Sequence, residues 1–187
     1  MKFELMKVFS IVLVFLAFAC AETTPADLKT TAQTEAGSII PEKIKRYIES
    51  NLKGWSIPSE SDYVKAWWSF YDRSEIPYFV TADFNDDARS DYAFILKNDK
   101  ALALAFITSR GDSLQHWFAP DFARPFHEKN IEYGLAVEPP AQIDVAYPEI
   151  KSLILKSNGI TLRHFEVNDR IYYWEKGSYQ VFTMGKN

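Results

Sequence analysis

The stretch YFVTADFNDDARSDYAFIL, residues 78–96, is the clearest indication of how this chain folds. Two short apolar runs, 78–82 and 92–96, flank the polar, acidic segment 83–91. Short runs rich in aromatic and β-branched residues predict strands, and the polar connection between them predicts a turn. We therefore expect a β-hairpin with an acidic loop at its tip.

Oxygen-bearing side chains recur at regular positions within this loop. Asp83, Asn85 and Asp87 alternate along the chain, and Asp91 follows four residues later. A bent loop with this spacing can wrap several oxygens around calcium, which takes roughly six to eight oxygen ligands. Arg89 would contribute its backbone carbonyl. The sequence thus predicts a calcium site with a structural role, because the ion would offset the repulsion among the carboxylates.

The same segment carries a resemblance to a known family. The run from Ala82 to Leu96 resembles the Asp-Phe-Asn-Gly-Asp-Gly-x-x-Asp-Tyr-Ala signature of FG-GAP/VCBS-type repeats, and more closely that of small exported bacterial proteins with a single copy. The run from Ile171 to Trp174 resembles a late strand of those proteins. The resemblance implies placement outside the cytoplasm, no known reaction, and metal ligands at Asp83, Asn85, Asp87 and Asp91.

Two positions of the loop depart from the family signature. Asp86 and Ala88 replace its two glycines, the second of which usually has a positive φ. Such a backbone costs a non-glycine residue roughly 1–2 kcal/mol. The alternative to a calcium site is therefore a solvated acidic turn that has lost its ion, since Asp and Asn are common turn residues.

The N-terminus has the pattern of an export signal. Lys2 and Lys7 precede an apolar run, 8–18, which is shorter than the ~20 residues of a membrane-spanning helix. The only cysteine, Cys20, follows this run directly. We expect a signal peptide over 1–19, lipidation of Cys20, a disordered tether over 20–37 and a single globular domain over 38–187. Ordinary signal-peptidase cleavage after Ala19 remains the alternative.

Within 38–187 the pattern predicts an α+β fold, with N-terminal helices followed by a mainly antiparallel sheet. Ile40, Ile44, Ile48 and Leu52 recur every four residues and predict a helix over 40–53. Aromatic residues spaced by three and four predict a second helix over 63–71. A loop is expected over 120–130. Strands are predicted over 78–82, 92–96, 101–107, 114–119, 131–137, 160–167, 171–174 and 179–184.

Composition limits the function classes. The formal net charge is −4 and no cluster of Lys or Arg occurs, which argues against nucleic-acid binding. His116, His127 and His164 lack the spacing of a zinc site. Neither a Gly-x-Ser-x-Gly motif nor a Gly-rich phosphate loop is present, although a catalytic triad assembled from distant positions stays open.

These observations favour an exported, lipid-anchored module of the cell envelope with one calcium-type loop and no identified reaction. The lipid on Cys20 would anchor it in a membrane, and this would be the outer membrane if two membranes are present. Its partner would be an unknown protein or glycan. The first alternative is a small envelope hydrolase that acts on glycans through paired carboxylates. The second is an accessory or inhibitor subunit that docks through an aromatic sheet face. Five tryptophans could stack on sugars: Trp55, Trp67, Trp68, Trp117 and Trp174.

Overall fold

Antiparallel strands account for most of the regular secondary structure in the residues that the computed structural model describes, 39–146, 149–167 and 169–185. The predicted signal peptide, Cys20 and the tether lie outside these residues. The first sheet has the order β1-β2-β3-β4, the second has the order β10-β9-β8-β5, and β6 pairs with β7. The strands are β1 (Phe79–Ala82), β2 (Asp91–Lys97), β3 (Ala101–Arg110), β4 (Ser113–Pro125), β5 (Tyr133–Glu138), β6 (Gln142–Val145), β7 (Lys151–Ile154), β8 (Gly159–His164), β9 (Arg170–Glu175) and β10 (Ser178–Thr183).

The predicted α+β class is wrong. The described residues contain one helix of more than four residues, α1 (Glu42–Asn51), besides the four-residue α2 (Trp67–Phe70) and a short 3₁₀ turn, Glu60–Asp62. The described part of the chain is therefore mainly antiparallel β structure with a single substantial helix. That helix confirms the prediction for 40–53, because its four-residue period buries Ile44 and Ile48 on one side.

The predicted second helix over 63–71 is wrong for most of its length. Tyr63 has extended backbone angles and forms a parallel bridge with Ile131. The Val64 amide donates to the Ile131 carbonyl at 3.1 Å, and the Ile131 amide donates to the Asp62 carbonyl at 3.0 Å. Pairing with a distant segment thus overrides the helical spacing, and only Trp67–Phe70 forms a helical turn.

Strand β4 continues to Pro125, where the sequence predicted a loop over 120–130. Its register against β3 shifts, so that Ala105 faces Phe118 whereas Ala103 faces Ala123. This irregularity leaves Pro120 outside the paired positions of an edge strand, where a missing N–H costs no ladder hydrogen bond. Proline therefore does not end the strand.

The first sheet is covered on both of its faces. Alternate residues of β2 and β3, including Ile95, Leu104 and Phe106, pack toward Leu162 and Tyr172 of the second sheet. Their neighbours pack toward the apolar side of α1: Phe94, Leu96, Ala105 and Ile107 contact the cluster of Ile44 and Ile48. The continuous apolar character of 101–107 confirms a central strand buried on both faces.

The strands predicted over 160–167, 171–174 and 179–184 are confirmed as β8, β9 and β10, although β8 ends at His164. β8 pairs antiparallel with β9, and β9 pairs antiparallel with β10. Among the described residues, no helix has the length and apolarity needed to cross a membrane.

Candidate functional site

The acidic loop is a network in which side-chain oxygens accept hydrogen bonds from the loop's own backbone. Asp83 accepts from the amides of Asp87 and Ala88, at 3.2 and 2.7 Å. Asn85 Oδ1 also accepts from the Asp87 amide, at 3.1 Å. Asp87 Oδ1 accepts from the Arg89 amide at 3.0 Å, and Asp87 Oδ2 accepts from the Asn85 side chain at 3.3 Å. The predicted ligands Asp83, Asn85 and Asp87 therefore turn toward the same concave backbone.

The loop has a left-handed backbone at both positions where the resembled signature has glycine. The φ angles are 61° at Asp86 and 62° at Ala88. Asp tolerates this region better than Ala because its side chain can hydrogen-bond locally. The chain thus accepts backbone strain at Ala88.

Asp91 lies at the base of the loop and is completely buried. Its Oδ2 accepts from the Phe84 amide at 3.1 Å, and its Oδ1 accepts from the Ser109 amide on β3 at 3.0 Å. Burial raises the pKa of Asp91 to about 6, and the charges of Asp87 and Asp83 also raise it, although the two amide bonds lower it. Burial therefore disfavours the charged form of Asp91 by more than its two amide hydrogen bonds stabilise it.

The loop also connects the two large sheets. Asn158 donates from its side-chain amide to the Asp83 carbonyl, and Ser157 donates from its hydroxyl to the Phe84 carbonyl, each at 3.2 Å. Both donors lie directly before β8 of the second sheet. The buried Phe84 side chain belongs to the cluster between the sheets. Movement of the loop would therefore disturb contacts on both sides of the core.

The donor chemistry of the loop fits a hard cation such as calcium. Three carboxylates and one amide supply oxygens, and an ionised carboxylate offers about four lone-pair sites, so that two amide bonds do not exhaust it. Within the described residues, however, no group of three or more His, Cys, Asp and Glu side chains is already arranged around a common metal position. Ion binding would require the loop oxygens to turn further toward one another.

A second candidate site is an aromatic cleft between the edge strands β4 and β10. It has a volume of about 250 Å³ and is lined mainly by apolar atoms. Trp117 from β4 and Val181 from β10 are each more than a third exposed at its edges, whereas the Phe118 ring packs on Trp55 at the opposite face of the sheet. Phe106 and Tyr172 lie deeper, and each is 2% exposed or less.

A polar cluster lies at one side of this cleft. Tyr172 donates its hydroxyl to the Asp121 carboxylate at 3.0–3.1 Å, and Arg170 donates to Asp121 Oδ2 at 3.0 Å. Burial raises the pKa of Tyr172 well above its ordinary value, and the charge of Asp121 adds to this, so the tyrosine stays protonated as a donor. Sequence inspection missed Asp121, because about fifty residues separate it from its partners and no local spacing connects them.

The other candidate residues of the sequence do not converge. His116 contacts the Tyr47 hydroxyl at 2.9 Å, His164 stacks on Tyr133, and the backbone amide of His127 donates to the Asn130 side chain. Of the four clefts described in residues 39–146, 149–167 and 169–185, none is lined by two carboxylates. The paired acids of the hydrolase alternative are therefore not found together in those clefts.

Comparison of the chain with protein-family models, curated proteins and solved structures finds no match. An assignment of function therefore depends on the chain's own side chains.

Proposed function

We propose that this chain is an exported, lipid-anchored module of the cell envelope, in which a calcium ion at the Asp83–Asp91 loop stabilises a binding domain. The supporting observation is the oxygen network of the loop. Asp83, Asn85 and Asp87 gather on one concave backbone, and the left-handed residues Asp86 and Ala88 keep the course that the calcium-type signature requires.

Asp83, Asn85 and Asp87 would supply side-chain oxygens to the ion, Arg89 its carbonyl, and Asp91 the buried base of the loop. The ion would supply positive charge. Its main effect would be to offset the repulsion among Asp83, Asp87 and Asp91, which contributes to the raised pKa of Asp91. Because Asn158 and Ser157 attach the same loop to the second sheet, a bound ion would stabilise the domain as a whole.

The proposed location depends on the N-terminal sequence. An apolar run that ends at the single cysteine supports export and lipidation at Cys20, and the polar segment 21–37 would act as a tether. A binding role is favoured over the hydrolase alternative because the aromatic cleft offers a large apolar surface with one carboxylate, Asp121.

Calorimetric titration of the full chain with calcium chloride tests the ion site. We expect saturable binding of one calcium ion, lost in Asp87→Ala and retained in Asp86→Asn. Asp86 is a suitable control because it is acidic and adjacent but outside the predicted ligand set. The proposal fails if the chain takes up no calcium, or if Asp87→Ala binds it as the unchanged chain does.

A further inference from the structure

We infer that the aromatic cleft between β4 and β10 binds a β-1,4-linked glycan built from glucose-type pyranose rings. This inference rests on the proposed function in placing the chain where envelope glycans occur. The cleft itself is built from residues outside the calcium-type loop: Phe106, Trp117 to Asp121, Tyr172 and Ser178 to Val181.

The walls of the cleft suit a flat ring with apolar faces. Trp117 is 38% exposed, so its ring can be contacted by a ligand. Tyr179 stacks on Phe106 at a centroid distance of 4.1 Å, which holds the floor in a fixed orientation. A pyranose whose hydroxyls are all equatorial presents C–H groups on both faces, and such a face packs against an aromatic ring without burying an unsatisfied hydroxyl.

The edge of the cleft suits the hydroxyl groups of the same ring. The Asp121 carboxylate is held by Tyr172 and Arg170, and these donors leave lone pairs that can accept from a ligand hydroxyl. A carboxylate acceptor beside an apolar floor favours a ring that carries hydroxyl groups over a purely apolar ligand.

A second groove shares Trp117 with the first, which favours an oligosaccharide over a single sugar. Trp117 lines both grooves, and the second also contains Trp174, Gln115 and the loop residues Asn85 and Asp87. Trp117 and Trp174 meet edge to face at 5.9 Å, and Tyr179 contacts both of them. A neighbouring ring of the glycan would therefore meet polar groups of the loop beside an exposed tryptophan.

The test is titration of the full chain with cellotetraose and with the tetramer of β-1,4-linked N-acetylglucosamine, followed by tryptophan fluorescence and calorimetry. Any detergent used to keep the chain soluble must lack a sugar headgroup. We expect saturable binding of both probes. Mannotetraose, which has an axial hydroxyl at each ring, should bind more weakly because that hydroxyl disrupts stacking.

Three variants locate the binding. Trp117→Ala should weaken it by at least about tenfold. Val181→Ala shortens a side chain of β10 that is 44% exposed and lines the cleft, and it should weaken binding several-fold without affecting the fold. Phe70→Ala is the matched control, because Phe70 is an exposed aromatic residue that does not line the cleft, and it should bind as the unchanged chain does.

The inference is overturned if neither tetrasaccharide binds at millimolar concentration, if mannotetraose binds equally well, or if both cleft variants bind normally. Each titration is repeated with calcium and with a chelator. Sugar binding by a chain that takes up no calcium would support the glycan site and contradict the ion site. Calcium uptake without sugar binding would support the ion site and contradict the glycan site.

Discussion

Asn158 donates a hydrogen bond to the carbonyl oxygen of Asp83 at 3.2 Å and so connects the second sheet to the acidic loop of the first. The neighbouring Ser157 repeats this connection at Phe84, whose side chain is fully buried between the sheets. The loop is therefore part of the domain core at one end and a solvated acidic turn at the other. A cation at the exposed end would act on the stability of both sheets.

Ala88→Gly tests whether the left-handed backbone of the loop is strained. The φ angle of Ala88 is 62°, where glycine lacks the steric cost of a Cβ. We expect a free energy of unfolding that is unchanged or higher by up to about 1 kcal/mol. Glycine removes steric strain from the folded state, and this gain should at least equal the entropy that glycine adds to the unfolded chain. Ala82→Gly, in strand β1, is the control and should lose about 0.5–1 kcal/mol. Urea unfolding measures both; a marked loss in Ala88→Gly would mean that the loop does not adopt this backbone.

Lys97→Met tests the ion pair between Lys97 and the buried Asp62, whose atoms Nζ and Oδ1 lie 2.6 Å apart. Burial raises the pKa of Asp62, but hydrogen bonds from Lys97 and Ser59 outweigh it and leave the pKa below its ordinary value. The pair therefore stabilises the fold above the unfolded pKa of about 4, and this contribution is lost as the pH falls.

We expect Lys97→Met to cost about 2 kcal/mol at pH 7, since Asp62 then stays buried and charged without its cation. The cost should be clearly less at pH 3.5, because loss of Lys97 removes a group that lowers the pKa of Asp62 and lets the buried carboxylate of the variant take up a proton. Urea unfolding at both pH values measures the difference. The double variant Asp62→Asn/Lys97→Met removes the titrating group and should lose this pH dependence. An equal cost of Lys97→Met at the two pH values would contradict the assigned role of the pair.

Gly134→Ala tests the contact between β5 and the buried Trp67. A Cβ at position 134 would lie 2.4–2.5 Å from two atoms of the Trp67 ring, which is 1% exposed. We expect a loss of about 1–3 kcal/mol, because the ring is confined by stacking on Tyr71. Trp67→Phe should reduce the cost of Gly134→Ala when the two are combined. If Gly134→Ala leaves the free energy of unfolding unchanged, the Trp67 ring is not confined against β5 as described.

Cys20→Ser tests the lipid anchor. Loss of the sulfur removes the lipid attachment site, so we expect the protein to move from the membrane fraction to the soluble exported fraction. Cell fractionation with detection of the domain measures this, and Ser10→Ala, within the apolar run of the signal, serves as the control. Solubility of the unchanged chain would favour ordinary signal-peptidase cleavage after Ala19.

The sequence predicted the elements that follow from the local spacing of apolar residues. It did not predict the contacts between residues that lie far apart in the chain. The four-residue period of Ile44 and Ile48 identified α1, and the apolar runs around the acidic loop identified β1 and β2. Tyr63 was assigned to a helix because its spacing to Trp67 is helical, yet its partner is Ile131, which no local pattern indicates. The predicted share of helix was therefore too large.

The two candidate sites also differ in how far apart their residues lie in the sequence. The loop is continuous in sequence, so Asp83, Asn85 and Asp87 could be named from their spacing alone. The aromatic cleft forms only where the edge strands β4 and β10 approach each other, and Asp121 reaches Tyr172 across that junction. Sequence alone identified Trp117 and Trp174 as candidates for sugar stacking but could not place them beside each other.

The most direct test of the central claim is the melting temperature of the full chain in excess calcium and in chelator, with magnesium as the ion control. Selective binding to the folded state adds about 2.7 kcal/mol at a hundredfold excess over the dissociation constant, and in a chain of this size it should raise the melting temperature by roughly 5–10 °C. We expect this rise with calcium, little rise with magnesium, and no rise in Asp87→Ala. An identical melting temperature in calcium and in chelator would contradict the claim that the loop is an ion-stabilised connection between the two sheets.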